Sequence, residues 1–188
     1  MKHLGTVQLE TERLILRRFT LDDANAMFNN WTSDPEVTKF MTWKTHTSAE
    51  ESKMILSDWI NRYDEENYYQ WAIVFKENGA DPIGGISSVR NSDTKQVVHI
   101  GYCIGRKWWH KGITSEALSA IIKFFFEEVS LNRIESSHDL NNPNSGKVMT
   151  KCGLLYEGTQ REGGWNNQGL MDNVMYAILQ KDYDATHG

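Results

Sequence analysis

A chain of 188 residues, 39% hydrophobic and 24% charged, suits one domain with one sizeable core (residues 1–188) and excludes a disordered, collagen-like, coiled-coil or solenoid chain. Its net charge of -5 comes with no stretch of Lys and Arg interleaved with aromatics, which argues against nucleic acid as partner and suits, weakly, a basic small molecule or peptide. Met1–Glu10 lacks a signal peptide's apolar core, the longest apolar runs are too short for a bilayer, and Cys103 and Cys152 have neither metal-ligand nor disulfide-framework spacing, so a soluble cytoplasmic protein with no metal and no membrane partner is expected.

In chain order, Leu14–Phe19 has the character of a first strand, and Thr20 is placed to cap a helix reaching Phe28, with acids in its first turn. Ser33-Asp-Pro-Glu36 predicts a second helix start with Pro35 at its first position. Ser48 and Glu51 match a capping box, and Met54, Ile55, Trp59 and Ile60 recur at helical spacing, so a helix is expected to about Tyr63. Strands follow at Tyr69–Phe75, Ile83–Val89 and Gln96–Ile104, the last apolar on both faces and therefore central. A loop, Gly105–Gly112, leads into a helix from Thr114 to about Val129, with Leu118, Ile121, Ile122, Phe125 and Val129 on one face. Asn132–His138 reads as a strand and Asn144–Cys152 as a short helix closed by Gly153. Leu154–Thr159 and Asn173–Leu179 read as a final strand pair, with Gly163–Gly169 between them a loop by composition. The expected class is α+β with a mostly antiparallel sheet.

The segment Gly101–Ala117 carries the chemistry. A central strand ends, basic residues Arg106, Lys107, His110 and Lys111 follow, and a helix begins. The first N–H groups of a helix lack internal partners and lie at the positive end of its dipole, so they can hold a pyrophosphate. Gly112 would let an anion approach the backbone closely. Neither familiar nucleotide loop, Gly-x-x-x-x-Gly-Lys-Ser/Thr or Gly-x-Gly-x-x-Gly, is present. Spacing alone leaves an anion site and a plain solvated loop equally open.

Trp109-His-Lys-Gly-Ile-Thr114, followed by Ser115-Glu-Ala117, resembles the coenzyme A loop of the GNAT superfamily of N-acetyltransferases. Trp109 stands where the general pattern has Gln or Arg, as in the branch resembling ribosomal-protein N-terminal acetyltransferases. Thr11–Arg17 resembles that branch's opening strand. Asn142-x-x-Ser145, Val148-Met149 and Lys151-x-Gly153 resemble its second cofactor motif, and Tyr156-Glu-Gly158 and Asp172 also fit. The resemblance implies a GNAT-like mixed sheet flanked by helices, a splayed central strand pair, and acetyl-CoA as co-substrate.

It also implies residue roles. Cys103 and Ile104 would offer backbone bonds to the pantetheine arm, and a nearby N–H could polarise the thioester carbonyl. Backbone groups of Trp109, His110, Lys111, Gly112, Ile113 and Thr114 would cradle the pyrophosphate, and Asn142 would bind the pantetheine or acyl region. Ser145 is the candidate acid for the departing thiolate; it could equally cap the helix that begins beside it. Glu162 and His99 are the candidate bases, although Gly164 occupies the register where relatives carry a carboxylate and a lone His on a buried strand is commonly a core residue. Trp43 and His46, with Trp165 in the late loop, would border the acceptor groove. No basic partner is evident beside Cys103 or Cys152, so neither is expected to be a nucleophile. The activity expected is acetyl transfer to a primary amine of a protein N-terminus, polyamine or small molecule, by a monomer or homodimer; the alternative is a non-catalytic acyl-CoA sensor or scaffold.

Overall fold

In a computed structural model, which describes residues 1–187, eight strands form one sheet in the order β1-β2-β3-β4-β5-β6-β8-β7. They are β1 (Leu9–Glu10), β2 (Leu14–Arg17), β3 (Gln70–Phe75), β4 (Pro82–Ser92), β5 (Val97–Ile104), β6 (Arg133–Asp139), β7 (Leu155–Asn166) and β8 (Gly169–Leu179). Every neighbouring pair is antiparallel except β5–β6. That parallel pair is short. Val97–His99 face Arg133–Glu135 and pairing then stops, whereas β4 accompanies β5 as far as Ile104. From Ile100 onward β5 therefore presents an edge inside the sheet, the splayed central pair expected of the fold.

Side-chain alternation along the strands sorts the core onto two faces. Trp71, Ile73, Val98 and Ile100 join the cluster built on α4 (Ile113–Phe124), while Ala72 and Cys103 join Phe19, Trp31 and Leu56 on the opposite face. The helical periodicity of α4 is borne out: Leu118, Ile121, Ile122, Phe125 and Val129 are all buried. The segment keeps α geometry to Phe124 and turns π-helical over Phe125–Val129, where Ser130 (φ 60°) ends it. Tyr69, Trp71, Phe124 and Phe125 pack edge to face beneath it, with centroids 4.9–6.2 Å apart across the strand–helix contacts.

The first helical stretch runs from a 3₁₀ turn, Leu21–Asp23, through α1 (Ala24–Met27) into a π turn, Phe28–Thr32, longer than sequence spacing indicates. Next come α2 (Pro35–Thr38), capped by Asp34, and α3 (Ala49–Asn61), where Ser48 Oγ accepts from the Glu51 N–H as expected of the cap, while the Glu51 carboxylate reaches one residue further back, to the Thr47 N–H and hydroxyl, so the expected box is only half formed. α5 (Pro143–Lys151) is closed by Gly153 at φ 86°, and α6 (Gln180–His187) follows β8.

The main correction concerns residues 163–169, expected as a loop. Leu155–Asn166 and Gly169–Leu179 form one long hairpin with only Asn167 and Gln168 at its tip. Cross-strand pairs Trp165↔Leu170 and Asn166↔Gly169 carry the ladder to the turn. The Gly-rich composition reflects an irregularity between Gln160 and Gly164, where a Cβ at 164 would meet the Met171 side chain. Among the described residues no helix is long and apolar enough to cross a membrane, and no group of three or more His, Cys, Asp or Glu side chains could hold a metal ion.

Candidate active site

A cleft of about 330 Å³ lies along the open edge of β5, between the start of α4 and α5. At one end stands the α4 N-terminus. Gly112 occupies its cap position at φ 73°, a left-handed conformation open to glycine, and no side chain caps the helix. Glu116 N–H bonds the Gly112 carbonyl, so the N–H groups of Ile113, Thr114 and Ser115 precede the first intrahelical bond. A Cβ at residue 112 would lie 3.6 Å from Arg13 Nη2 and 3.7 Å from Lys151 Nζ. Free donors, a dipole end and two cations thus converge on space that the absent side chain leaves open, a fit for the pyrophosphate of coenzyme A.

Arg13 was not singled out by the sequence reading. Its Nη1 donates to the Lys111 carbonyl (3.1 Å) and its Nε to Glu116 Oε2 (2.6 Å), while Glu116 Oε1 accepts from Thr11 Oγ1 (2.6 Å) and the Arg13 N–H (3.0 Å). The opening strand is thereby clamped onto the loop and the first turn of α4. Burial disfavours the Glu116 charge, but the bonds from Thr11 and Arg13 prevail and hold its carboxyl below the usual range.

Two loop residues have backbone groups already engaged within the protein. The Trp109 N–H is taken by the Arg106 carbonyl (3.2 Å), and its indole Nε1 donates to Ile104 O (2.9 Å); Trp109 lines the cleft by bracing the end of β5 and offers no free N–H. Lys111 is exposed outside the lining, its carbonyl held by Arg13. His110 (φ 60°), Ile113 and Thr114 line the cleft as expected.

Peptide direction along β5 sorts the pantetheine candidates. Ile100 O points toward β6, accepting from Ser136 Oγ (2.8 Å), and Gly105 N–H points toward β4, donating to Ile83 O (2.9 Å). Alternation then aims the peptide groups of Tyr102 and Ile104 into the gap and those of Cys103 toward β4. Of the expected pair, the Ile104 peptide faces the gap, its carbonyl accepting from Trp109 Nε1, while the Cys103 peptide faces β4; the Tyr102 peptide faces the gap as well. The Cys103 thiol lines the cleft, but burial pushes it up to about 12, which suits a packing group and not a nucleophile.

Ser145 and Asn142 line the same cleft. Ser145 is the third residue of α5, and Asn142 takes the cap position, so Ser145 is not the helix cap. Its Oγ instead donates to Tyr102 Oη (3.0 Å), and Tyr102 Oη donates to the Ser145 carbonyl (2.9 Å). Beyond this hydroxyl pair the cleft ends on Val37 and Met41, contributed by the segment around α2.

Neither candidate base reaches the lining. His99 is buried on the other face of β5, where its Nδ1 accepts from Arg90 Nη2 (3.1 Å) and its Nε2 bonds Ser137 Oγ (3.3 Å). Burial, then the Arg90 charge, lowers it to about 4, so it stays neutral with both nitrogens engaged. Glu162 is exposed on the irregular stretch of β7 at φ 51°, where its own N–H donates to Asp172 Oδ1 (2.9 Å). Trp43 and Trp165 also fall outside the lining. Trp43 packs against the Phe19–Leu56 cluster and beside His46, and Trp165 is 54% exposed on the hairpin.

The hairpin tip nevertheless holds the segment that contributes Val37 and Met41 to the cleft. Asn167 N–H donates to Met41 O (3.0 Å), and its Nδ2 donates to the carbonyls of Thr38 (2.9 Å) and Trp43 (2.7 Å). Buried Asp139, at the end of β6, accepts from Asn141 N–H (2.8 Å), Asn141 Nδ2 (3.1 Å) and Asn166 Nδ2 (2.7 Å), and its carbonyl accepts from the Asn142 N–H (2.7 Å). It ties the turn before α5 to the hairpin tip. Neither the Asn167 bonds nor the Asp139–Asn166 bond is visible in the sequence, because they join residues 27 to 129 positions apart.

A sheet opened at a parallel pair, with an uncapped helix N-terminus at one end of the opening and paired hydroxyls along it, defines an acyl-CoA-dependent acyltransferase. The acetyltransferase (GNAT) domain family matches residues 13–155, and the chain belongs to it: it is an acetyl-CoA-dependent N-acetyltransferase. N-acetyltransferase p20 of Bacillus licheniformis is 32% identical over 93% of this chain and 97% of its own. The [ribosomal protein uS5]-alanine N-acetyltransferase of Escherichia coli is 26% identical over 94% of this chain and 93% of its own. Among solved structures, RimL, a ribosomal L7/L12 alpha-N-protein acetyltransferase in complex with coenzyme A, superposes with a TM-score of 0.82 at 18% identity, over 92% of this chain and 98% of its own, which shows the shared fold.

Proposed function

We propose that the protein transfers an acetyl group directly from acetyl-CoA to a primary amine presented end-on, as on a protein N-terminus, a polyamine or a small molecule. The observation that carries this reading is the Ser145–Tyr102 hydroxyl pair on the open edge of β5, between the α4 N-terminus and the apolar end at Val37 and Met41. Ile113–Ser115 hold the phosphates by their N–H groups, Tyr102 and Ile104 orient the arm by their peptides, and Asn142 faces the acyl region. Ser145 protonates the departing sulfur. The buried, unactivated Cys103 thiol leaves direct attack by the amine as the route.

End-on presentation is part of the proposal; the hairpin tip, pinned by Asn167 across Thr38–Trp43, would flank the acceptor's approach. The E. coli relative's action on an alanine of a ribosomal protein favours a protein N-terminus within this class. No carboxylate lines the cleft among the described residues, so the amine passes its proton to water, directly or by way of His110 in the lining. The same observation favours the second reading, a sensor that holds acyl-CoA without turnover. Thiol release and product mass, measured with acetyl-CoA and a panel of N-terminal peptides, polyamines, amino acids and aminoglycosides, separate the two. Amine-dependent release is expected; tight coenzyme A binding with no release across the panel would establish the sensor.

A further inference from the structure

The fold supplies Ser145 with a partner from a distant part of the chain. Tyr102 projects from β5 on the α4–α5 side, and its phenol bonds both the side chain and the carbonyl of Ser145, 43 residues away. In this arrangement the single proton of Ser145 is directed at Tyr102, which leaves the serine none to give to a leaving group. Turning the two hydroxyl rotors reverses the contact without moving a heavy atom: Tyr102 then donates to Ser145 Oγ, and Ser145 donates into the cleft. Both residues line that cleft, so the freed proton faces the open edge of β5.

Resting on the direct transfer proposed above, the geometry points to Tyr102 as a positioning residue that orients the Ser145 hydroxyl and resupplies its proton. In the step, the amine nitrogen bonds the acyl carbon, and the carbon–sulfur bond breaks with its electron pair passing to sulfur. Ser145 Oγ gives its proton to that sulfur while Tyr102 Oη gives its own to Oγ. Water at the cleft mouth returns a proton to Oη, and the proton shed by the amine leaves to water. Burial raises the Tyr102 phenol above its usual range, which disfavours a free phenolate and couples the two transfers.

The test compares Tyr102→Phe, Ser145→Ala and the double variant with the unaltered protein, each checked by thermal melting. Tyr102→Phe is expected to lower kcat about tenfold with KM for acetyl-CoA within about twofold. The double variant should be no slower than Ser145→Ala, because one relay is cut once. A second measurement needs no acceptor: coenzyme A is bound to each protein and its thiolate absorbance followed as pH rises. A directed Ser145 donor stabilises the thiolate, so the bound thiol should ionise at lower pH in the unaltered protein than in Tyr102→Phe. If Tyr102 merely props α5, Tyr102→Phe weakens coenzyme A binding, leaves the thiol ionisation unchanged and multiplies with Ser145→Ala; that result overturns the proposal. Absence of turnover with every amine would overturn the transfer reading alone, and the thiol titration still decides the role of Tyr102.

Discussion

Replacing Gly112 by alanine tests the proposed phosphate site at the α4 N-terminus. At φ 73° an alanine carries strain of about 1 kcal/mol. For a chain of this length that lowers Tm by about 2–4 °C. The added methyl also enters the space 3.6 Å from Arg13 Nη2 and 3.7 Å from Lys151 Nζ, in front of the first N–H groups of α4. Displacing the anion from one charge-assisted hydrogen bond costs about 1.5–3 kcal/mol, a loss of roughly 10- to 150-fold in affinity. Gly5→Ala is the control. Gly5 has φ 62°, its added Cβ would meet nothing closer than 3.7 Å, and it lies outside the cleft. Calorimetric titration with coenzyme A should show the affinity loss in Gly112→Ala alone, while both variants melt slightly lower. Equal affinities in the two variants would refute the assignment of the α4 N-terminus as the phosphate site.

Ser145→Ala should reduce kcat about tenfold to a hundredfold at saturating substrates with the melting temperature unchanged; undiminished turnover removes the acid role. Asp139→Ala should destabilise the fold by about 2–4 kcal/mol in urea titration, since it leaves the Asn166 amide and the Asn141 donors without their acceptor. Full retention of stability would show that Asp139 is not the link between α5 and the hairpin. His99 makes a pH prediction. Its folded value of about 4 lies below an unfolded value of about 6.5, so between these values the unfolded chain binds more protons. Its contribution to stability is therefore complete above pH ~6.5 and declines as the pH falls toward 4, by on the order of 3 kcal/mol. Urea unfolding across that window should show a flatter slope for His99→Gln, and identical slopes would refute the account.

Local pattern determined much of this protein. The helical stripe Leu118–Val129, the Ser48 cap, the Gly153 stop and the strand-to-helix passage at Gly112 are legible because each depends on residues within a few positions of one another. The same holds for the proposed phosphate end of the site, where a helix terminus follows a glycine. The long β7–β8 hairpin escaped the reading, because Gly163, Gly164 and Gly169 signal a turn whether they form a loop, a bulge or a tight tip. Only the tertiary structure decided the rest of the site. Tyr102 meets Ser145, Arg13 meets Lys111 and Glu116, and Asn167 meets Thr38 and Trp43 across 43 to 129 positions. It likewise sent His99 to the far face, where Arg90 and Ser137 occupy both its nitrogens. The proposed donor site is written largely in local backbone geometry, with Arg13 and Lys151 brought to it by the fold, whereas the proposed proton relay and acceptor access depend on side chains that become neighbours when the sheet assembles and parts between β5 and β6.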